Sequence, residues 1–129
     1  MTKLPLSSPK TPRLPRIALH LAISDGKRRL VDPADIYWLE ADGDDTWVRL
    51  RGAQRLRDRR TLGVLAKRLE EWSFIRIHRS HAVNPLHVLE VRHRDETADW
   101  EVKLAPPVNR VLAVSEGYLA ELWRMLGES

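Results

Sequence analysis

One segment in the second half of the sequence combines a short apolar alternation with a dense group of polar side chains. Residues 74–85 read Phe-Ile-Arg-Ile-His-Arg-Ser-His-Ala-Val-Asn-Pro. The apolar residues can anchor a strand, and Pro85 favours an extended backbone at Asn84. Between them lie guanidinium, imidazole, hydroxyl and amide groups, so this corner is suited to recognising a polar ligand.

Arg79 is the residue of this segment best suited to reading a nucleic-acid base. A guanidinium on a tight corner presents a rigid fork that can donate to O6 and N7 of guanine together in the major groove. A surface ion pair is the alternative, and the residue types alone do not separate the two. Arg76, Ser80 and His81 are neighbouring candidates for contacts with bases or phosphates.

The histidines and the serine also bring other chemistry into consideration. His78 and His81, with His87 and His93 nearby, supply imidazoles, but the chain has no cysteine and no acid lies between the first two. Ser80 lacks the glycine loop and the spacing to a base that a serine nucleophile needs. We therefore expect no metal site, no cofactor and no enzymatic activity.

Basic residues are concentrated between Arg49 and Arg68. This stretch has eight basic residues and one acid, although the net charge of the 129-residue chain is only +4. A solvated surface explains such a patch, and so does phosphate binding if the patch borders the Arg79 corner. The candidates for phosphate contacts are Arg49, Arg51, Arg55, Arg57, Arg59 and Arg60.

Alternating apolar residues predict short antiparallel strands around these candidates. We expect strands at 17–23, 27–31, 36–41, 46–51, 54–58, 74–77, 88–94, 100–104 and 111–114. Two amphipathic helices are expected, with Thr61 and Ser115 as their N-caps. The predicted fold class is α+β and mainly antiparallel β.

Composition divides the chain into a tail and one domain. Residues 1–16, with four prolines, four cations and no acid, are predicted to be a disordered basic tail, and 17–129 to form the domain. No apolar run approaches the roughly 20 residues of a membrane helix, so we expect a cytoplasmic protein that does not contact a membrane. The two helices lie too far apart in sequence for a helix-turn-helix, so loops would have to read DNA.

Segment 74–85 also resembles the signature of the LytTR DNA-binding domain family. The resemblance rests on Phe-Ile-Arg-Ile-His-Arg-Ser followed by Val-Asn. It extends to Ile-Tyr-Trp-Leu-Glu-Ala at 36–41, Thr-Leu at 61–62 and Leu-Ala-Val-Ser at 112–115, and covers residues 17–126. It implies a bacterial-type transcription regulator with an elongated antiparallel β fold. Three loops would contact double-stranded DNA, two of them in successive major grooves.

The resemblance assigns DNA-contacting roles to residues in each loop. The first loop runs from Asp42 to Thr46, and its contacting position falls on Thr46 or Trp47. The second loop is the corner around Arg79, which matches the position that reads a base. In the third loop, at the entrance to the last helix, Ser115 matches the family pattern.

The resemblance also implies supporting residues and partners. His78 and Asn84 match positions that support the Arg79 corner. Family members usually occupy paired sites, which implies a homodimer, and they are usually coupled to a receiver or a membrane sensor. Because only 16 residues precede the domain, we expect a free-standing regulator or one whose input comes through an upstream signalling protein.

Two departures from the family pattern leave an alternative function open. Glu116 stands where a basic residue is common, and Asp42, Asp44 and Asp45 make the first loop acidic. A carboxylate near a phosphate is repelled, although one that faces cytosine N4 can accept a specific hydrogen bond. The leading hypothesis is a sequence-specific DNA-binding regulator. The alternative is a protein-binding regulatory module on the same scaffold.

Overall fold

The computed structural model describes residues 19–24, 26–94 and 99–127. Its strands are β1 Leu19–Ser24, β2 Lys27–Val31, β3 Ile36–Asp42, β4 Asp45–Leu50, β5 Arg55–Asp58, β6 Ile75–His78, β7 His81–Val83, β8 Val88–His93, β9 Trp100–Leu104 and β10 Val111–Val114. The helices are α1 Leu62–Arg68 and α2 Leu119–Met125. The predicted tail lies outside the described residues. Among those described, no helix is long and apolar enough to cross a membrane.

The strands form three antiparallel sheets. The central sheet has the order β5-β4-β3-β7-β6, a second sheet has the order β10-β9-β8, and β1 and β2 form a hairpin. Gly26 and Gly43 lie in hairpin turns with φ of 73° and 63°, in the left-handed region that glycine enters without a steric penalty. The predicted α+β, mainly antiparallel fold is confirmed.

Strand β3 is buried on both faces of the central sheet. Ile36 and Leu39 pack into an apolar cluster with α1, whereas Tyr37 and Trp38 pack into a second cluster that contains β9, β10 and Leu122 of α2. Burial on two faces explains why this strand reads as a continuous apolar run instead of an alternation. The central sheet is therefore the middle layer between the two apolar clusters.

The two helices begin differently. The Thr61 hydroxyl accepts a hydrogen bond from the Val64 N–H at 3.3 Å, which confirms Thr61 as the N-cap of α1. Ser115 occupies the N-cap position of a 3₁₀ turn, Glu116–Tyr118, that leads into α2, but its side chain makes no capping hydrogen bond. The reason is that the first turn is a tight one, closed by a backbone bond from Tyr118 to the Ser115 carbonyl.

Asn84 links three parts of the chain in the interior. Its side-chain amide donates to the carbonyls of Pro33 and Ile36 at 3.2 and 2.9 Å, and its oxygen accepts from the Leu86 N–H at 3.0 Å. The side chain is buried, with 4% of the residue exposed. Asn84 therefore fixes the exit of β7 against the entrance of β3, at the opposite end of these strands from the Arg79 turn that it was predicted to support.

We expect Asn84→Ala to lower the free energy of unfolding by about 2 to 4 kcal/mol, since it leaves buried carbonyls without their donor. Urea denaturation measures this change. Gln54→Ala is the matched control, because Gln54 is an exposed amide side chain, and its variant should unfold like the wild type. Equal stability of the two variants would contradict the structural role of Asn84.

Candidate nucleic-acid interface

Two hairpin turns emerge side by side at one end of the central sheet. One joins β3 to β4 through Gly43, and the other joins β6 to β7 through Arg79 and Ser80. The Ala41 N–H donates to the Ser80 carbonyl at 2.9 Å, which fastens one hairpin to the other. Ser115 lies beside the same end, because its N–H donates to the Ile77 carbonyl at 2.8 Å. The three segments singled out in the sequence are thus neighbours.

Arg79 is exposed on the second of these turns. Its side chain has no hydrogen bond or ion pair with any described residue. The turn itself is supported by Arg76, whose guanidinium donates to the Arg79 carbonyl at 2.7 Å and to the His78 carbonyl at 3.3 Å. The Arg76 guanidinium also lies over the Tyr118 ring, 5.6 Å from its centre. Arg76 therefore acts within the protein, a role that its position in the sequence did not indicate.

The histidines on either side of the turn pack within the protein. The Ser80 N–H donates to Nδ1 of His78 at 3.0 Å, which confirms His78 as a supporting residue. The His81 ring is half-buried against Trp38, and its Nδ1 has no hydrogen-bond partner among the described residues. Burial, with a smaller contribution from His78, lowers the pKa of His81. His81 is therefore neutral at physiological pH and contributes no positive charge for a phosphate.

The first loop exposes one of its two candidates. Thr46 is completely buried, and its hydroxyl donates to the Arg60 carbonyl at 2.8 Å, so it has no surface available to a ligand. Trp47 is half-buried. Two guanidinium groups lie over its ring, at distances from the ring centre of 4.0 Å for Arg55 and 4.9 Å for Arg57. Of the two candidates for the contacting position, Trp47 is therefore the one with surface available to a ligand.

The acids of the first loop are paired with the basic patch. Arg57 binds Asp42 and Asp45, each at 2.8 Å, and Arg59 lies 3.9 Å from Asp45. The hydrogen bond to Asp45 is the main reason why the pKa of Arg57 is raised. The predicted acidic loop and the predicted basic patch are therefore one surface of mixed charge. The sequence could not show this, because the pairs form between different strands.

The remaining arginines of the patch divide into paired and unpaired residues. Arg49 binds Glu40 at 2.7 Å, and Arg60 binds the buried carboxylate of Asp58 at 2.7 Å. Arg51 and Arg55 are exposed and have no carboxylate partner among the described residues. The free positive charge of this surface is consequently smaller than the number of arginines indicates.

The buried Asp58 carboxylate links β1 to the end of β5. Besides Arg60, it accepts hydrogen bonds from the Ala22 N–H at 2.9 Å and from the Arg60 N–H at 2.8 Å. Burial acts to raise the pKa of Asp58, but the bonds from Arg60 and Ala22 outweigh it, and the pKa is lowered. The ionised carboxylate thus fastens β1 to β5 at the end of the sheet that carries the turns.

The third segment consists of Ser115 and Glu116 at the entrance to α2. Ser115 is half-buried, and Glu116 is exposed without an ion pair in the described part of the chain.

His87 stacks on Tyr37 with ring centres 3.8 Å apart, and His93 lies against a tryptophan ring. Within residues 19–24, 26–94 and 99–127 no group of three or more His, Asp or Glu is arranged to hold a metal ion.

The antiparallel β scaffold brings three loop segments together at one end and carries an arginine-rich surface on its central sheet. The comparisons name the family. Residues 26–127 match the LytTr DNA-binding domain, and the chain belongs to this family. It is therefore a DNA-binding domain of the bacterial transcription-regulator class, with DNA as its partner, and the family is not one of enzymes.

A solved structure supports the same fold. It is the LytTr DNA-binding domain of a protein described as a methyl-accepting/DNA response regulator from Bacillus cereus. The two chains are 23% identical, with a TM-score of 0.67, and the alignment covers 85% of this chain and 96% of that chain. No curated protein matches the chain. The likeness at this level of identity shows that the fold is shared.

We expect Asp58→Asn to lower the free energy of unfolding at neutral pH by about 2 kcal/mol, because the ionised acceptor of several hydrogen bonds is lost. A lowered folded-state pKa means that this contribution is complete above the usual range of aspartate, about pH 4, and is lost as the pH falls through the folded-state pKa. Urea denaturation between neutral and acidic pH should show the wild type and the variant converging.

Asp44→Asn is the matched control for this experiment. Asp44 is exposed and has no ion pair with a described residue, so its variant should follow the wild type at every pH. A difference between Asp58→Asn and the wild type that stays constant down to the acid limit would argue against the ionised role of Asp58.

Proposed function

We propose that the chain is a sequence-specific regulator that reads the major groove of double-stranded DNA through loops, with Arg79 as the base-reading residue. The observation that carries this proposal is the geometry of the β6–β7 turn. Arg79 has a free, exposed guanidinium, while its own carbonyl is held by Arg76. A guanidinium whose backbone is held in place can donate to O6 and N7 of guanine together.

Other residues of the central sheet suit the DNA backbone. Ser80 offers a hydroxyl on the β6–β7 turn, and Trp47 is a half-buried aromatic residue near the β3–β4 turn. Arg51, Arg55 and Arg59 are the exposed arginines with the least carboxylate pairing. Arg59 follows the end of β5 beside the turns, whereas Arg51 follows the opposite end of β4. The paired arginines would have to exchange a carboxylate for a phosphate. These are Arg49, Arg57 and Arg60.

The third segment is the weakest part of the proposed contact. Ser115 can donate a hydroxyl hydrogen bond, but Glu116 would repel a phosphate and would have to face a base amino group such as cytosine N4. Asp44 has the same restriction. Asp42 and Asp45 repel a phosphate less, because both bind Arg57 and Asp45 also lies 3.9 Å from Arg59. We also propose that two copies occupy paired sites and that an upstream signalling protein supplies the input.

The alternative is a protein-binding module on the same scaffold, favoured by the exposed acids Asp44 and Glu116. A salt titration separates the two functions. Each phosphate that is contacted adds roughly 0.9 to the negative slope of log affinity against log salt concentration. We expect a steep slope on DNA fragments selected from a random pool. A flat response, or no selected fragment at all, would support the protein-binding module.

We expect Arg79→Ala to cost about 1 to 3 kcal/mol of binding to a selected site and to relax preference at one base pair. Arg79→Lys keeps the charge but not the bidentate geometry, so it should retain affinity for unrelated DNA without restoring the preference. Competition binding against single-base variants of the site measures both effects.

Arg68→Ala is the control for a general loss of charge. Arg68 is exposed, near the last turn of α1, and has no ion pair with a described residue. Its variant should keep the sequence preference of the wild type. The role of Arg79 is refuted if lysine restores the preference fully, because a phosphate contact tolerates that exchange.

A further inference from the structure

Three consecutive cations, Lys27, Arg28 and Arg29, cover strand β2. All three are exposed, and β2 is an edge strand that pairs only with β1 among the described strands. Arg28 reaches only the carbonyl of Lys27, at 3.3 Å. No carboxylate of residues 19–24, 26–94 and 99–127 pairs with any of them. Their positive charge is therefore free for a partner.

This free charge contrasts with the arginines beside the loops. There, Arg49, Arg57 and Arg60 each bind a carboxylate at 2.7 or 2.8 Å. A paired arginine contributes little to the field that attracts a polyanion, because the field of the acid cancels that of the guanidinium at a distance. The uncompensated charge of the domain lies in part on β2.

The β2 strip is attached directly to the end of the sheet that carries the turns. Arg28 is the register partner of Ala22 in β1. On the other edge of β1, Ala22 is hydrogen-bonded to the end of β5. Its carbonyl accepts from the Arg59 N–H and its N–H donates to the Asp58 carboxylate, both at 2.9 Å. Arg28 and Arg59 are thus about 10 Å apart, two strand spacings.

We propose that Lys27, Arg28 and Arg29 form a second phosphate-binding surface, which contacts the DNA backbone beside the segment that the loops read. The inference rests on the proposed function, because it lengthens the contact with the same duplex. A backbone is the partner that fits: it is a regular polyanion, and three adjacent cations without acids select charge and not sequence. The surface would add affinity for every sequence alike.

A salt titration of the full chain tests the proposal. The variant Arg28→Gln/Arg29→Gln removes two exposed charges and should reduce the magnitude of the log-log slope by about 1.8, or 0.9 for each phosphate lost. The reduction should be equal on a selected duplex and on a mixed-sequence duplex of the same length, and the preference between the two should not change. An unchanged thermal unfolding midpoint shows that the fold is intact.

Lys67→Gln/Arg68→Gln is the matched control. It removes the same charge from two exposed positions in the last turn of α1, about 10 Å along the helix from the Thr61 end. This variant should keep the slope of the wild type. If both double variants reduce the slope equally, the effect comes from net charge and the proposal is overturned.

The remaining outcomes separate the inference from the proposed function. A steep wild-type slope that Arg28→Gln/Arg29→Gln leaves unchanged overturns the β2 surface while the proposed function stands. If this variant instead forms oligomers in sedimentation at an unchanged slope, the cations protect the exposed edge of β2 from pairing with another copy. A flat wild-type slope removes the proposed function and the β2 surface together.

Discussion

The structure depends on strand β3, which is hydrogen-bonded on both edges and packed on both faces. It pairs with β4 on one side and with β7 on the other, and its side chains enter the two apolar clusters. Because both neighbours run antiparallel to it, the two hairpin turns lie at the same end. A slip of β3 by one residue would exchange its buried faces and displace both turns. The register of one strand thus sets the geometry of the end that carries both hairpin turns.

The sequence predicted the parts of this arrangement that depend on local chemistry. The strand at Trp100–Leu104, the cap at Thr61 and the loop that follows Asp42 each lie where they were expected. The exception is Ser115, where a tight 3₁₀ turn follows and the side chain makes no capping hydrogen bond. Such a turn depends on how the chain leaves β10 and meets β6, which no local pattern records.

The candidate site was predictable in its residue types but not in their pairing. Arg79 was expected to be exposed, and Asn84 and His78 were expected to support it. The internal use of Arg76 and the burial of Thr46 arise from contacts across the sheet, between residues that sequence spacing does not bring together. Charge is the clearest case. In the sequence the acidic loop and the basic patch have opposite effects on phosphate binding, but in the structure they form ion pairs with each other. Residue counts therefore overstate the free positive charge of this surface.

Arg57 bridges the two ends of the β3–β4 turn from a third strand. Its guanidinium binds Asp42, the last residue of β3, and Asp45, the first residue of β4. A substitution at any one of these three positions therefore changes the charge balance at the other two. A neutral or acidic residue at Arg57 would leave two carboxylates without their cation, and a neutral or basic residue at either aspartate would remove one of the ion pairs that hold the turn. Variation in the β3–β4 turn is thus constrained by a residue that belongs to a different hairpin.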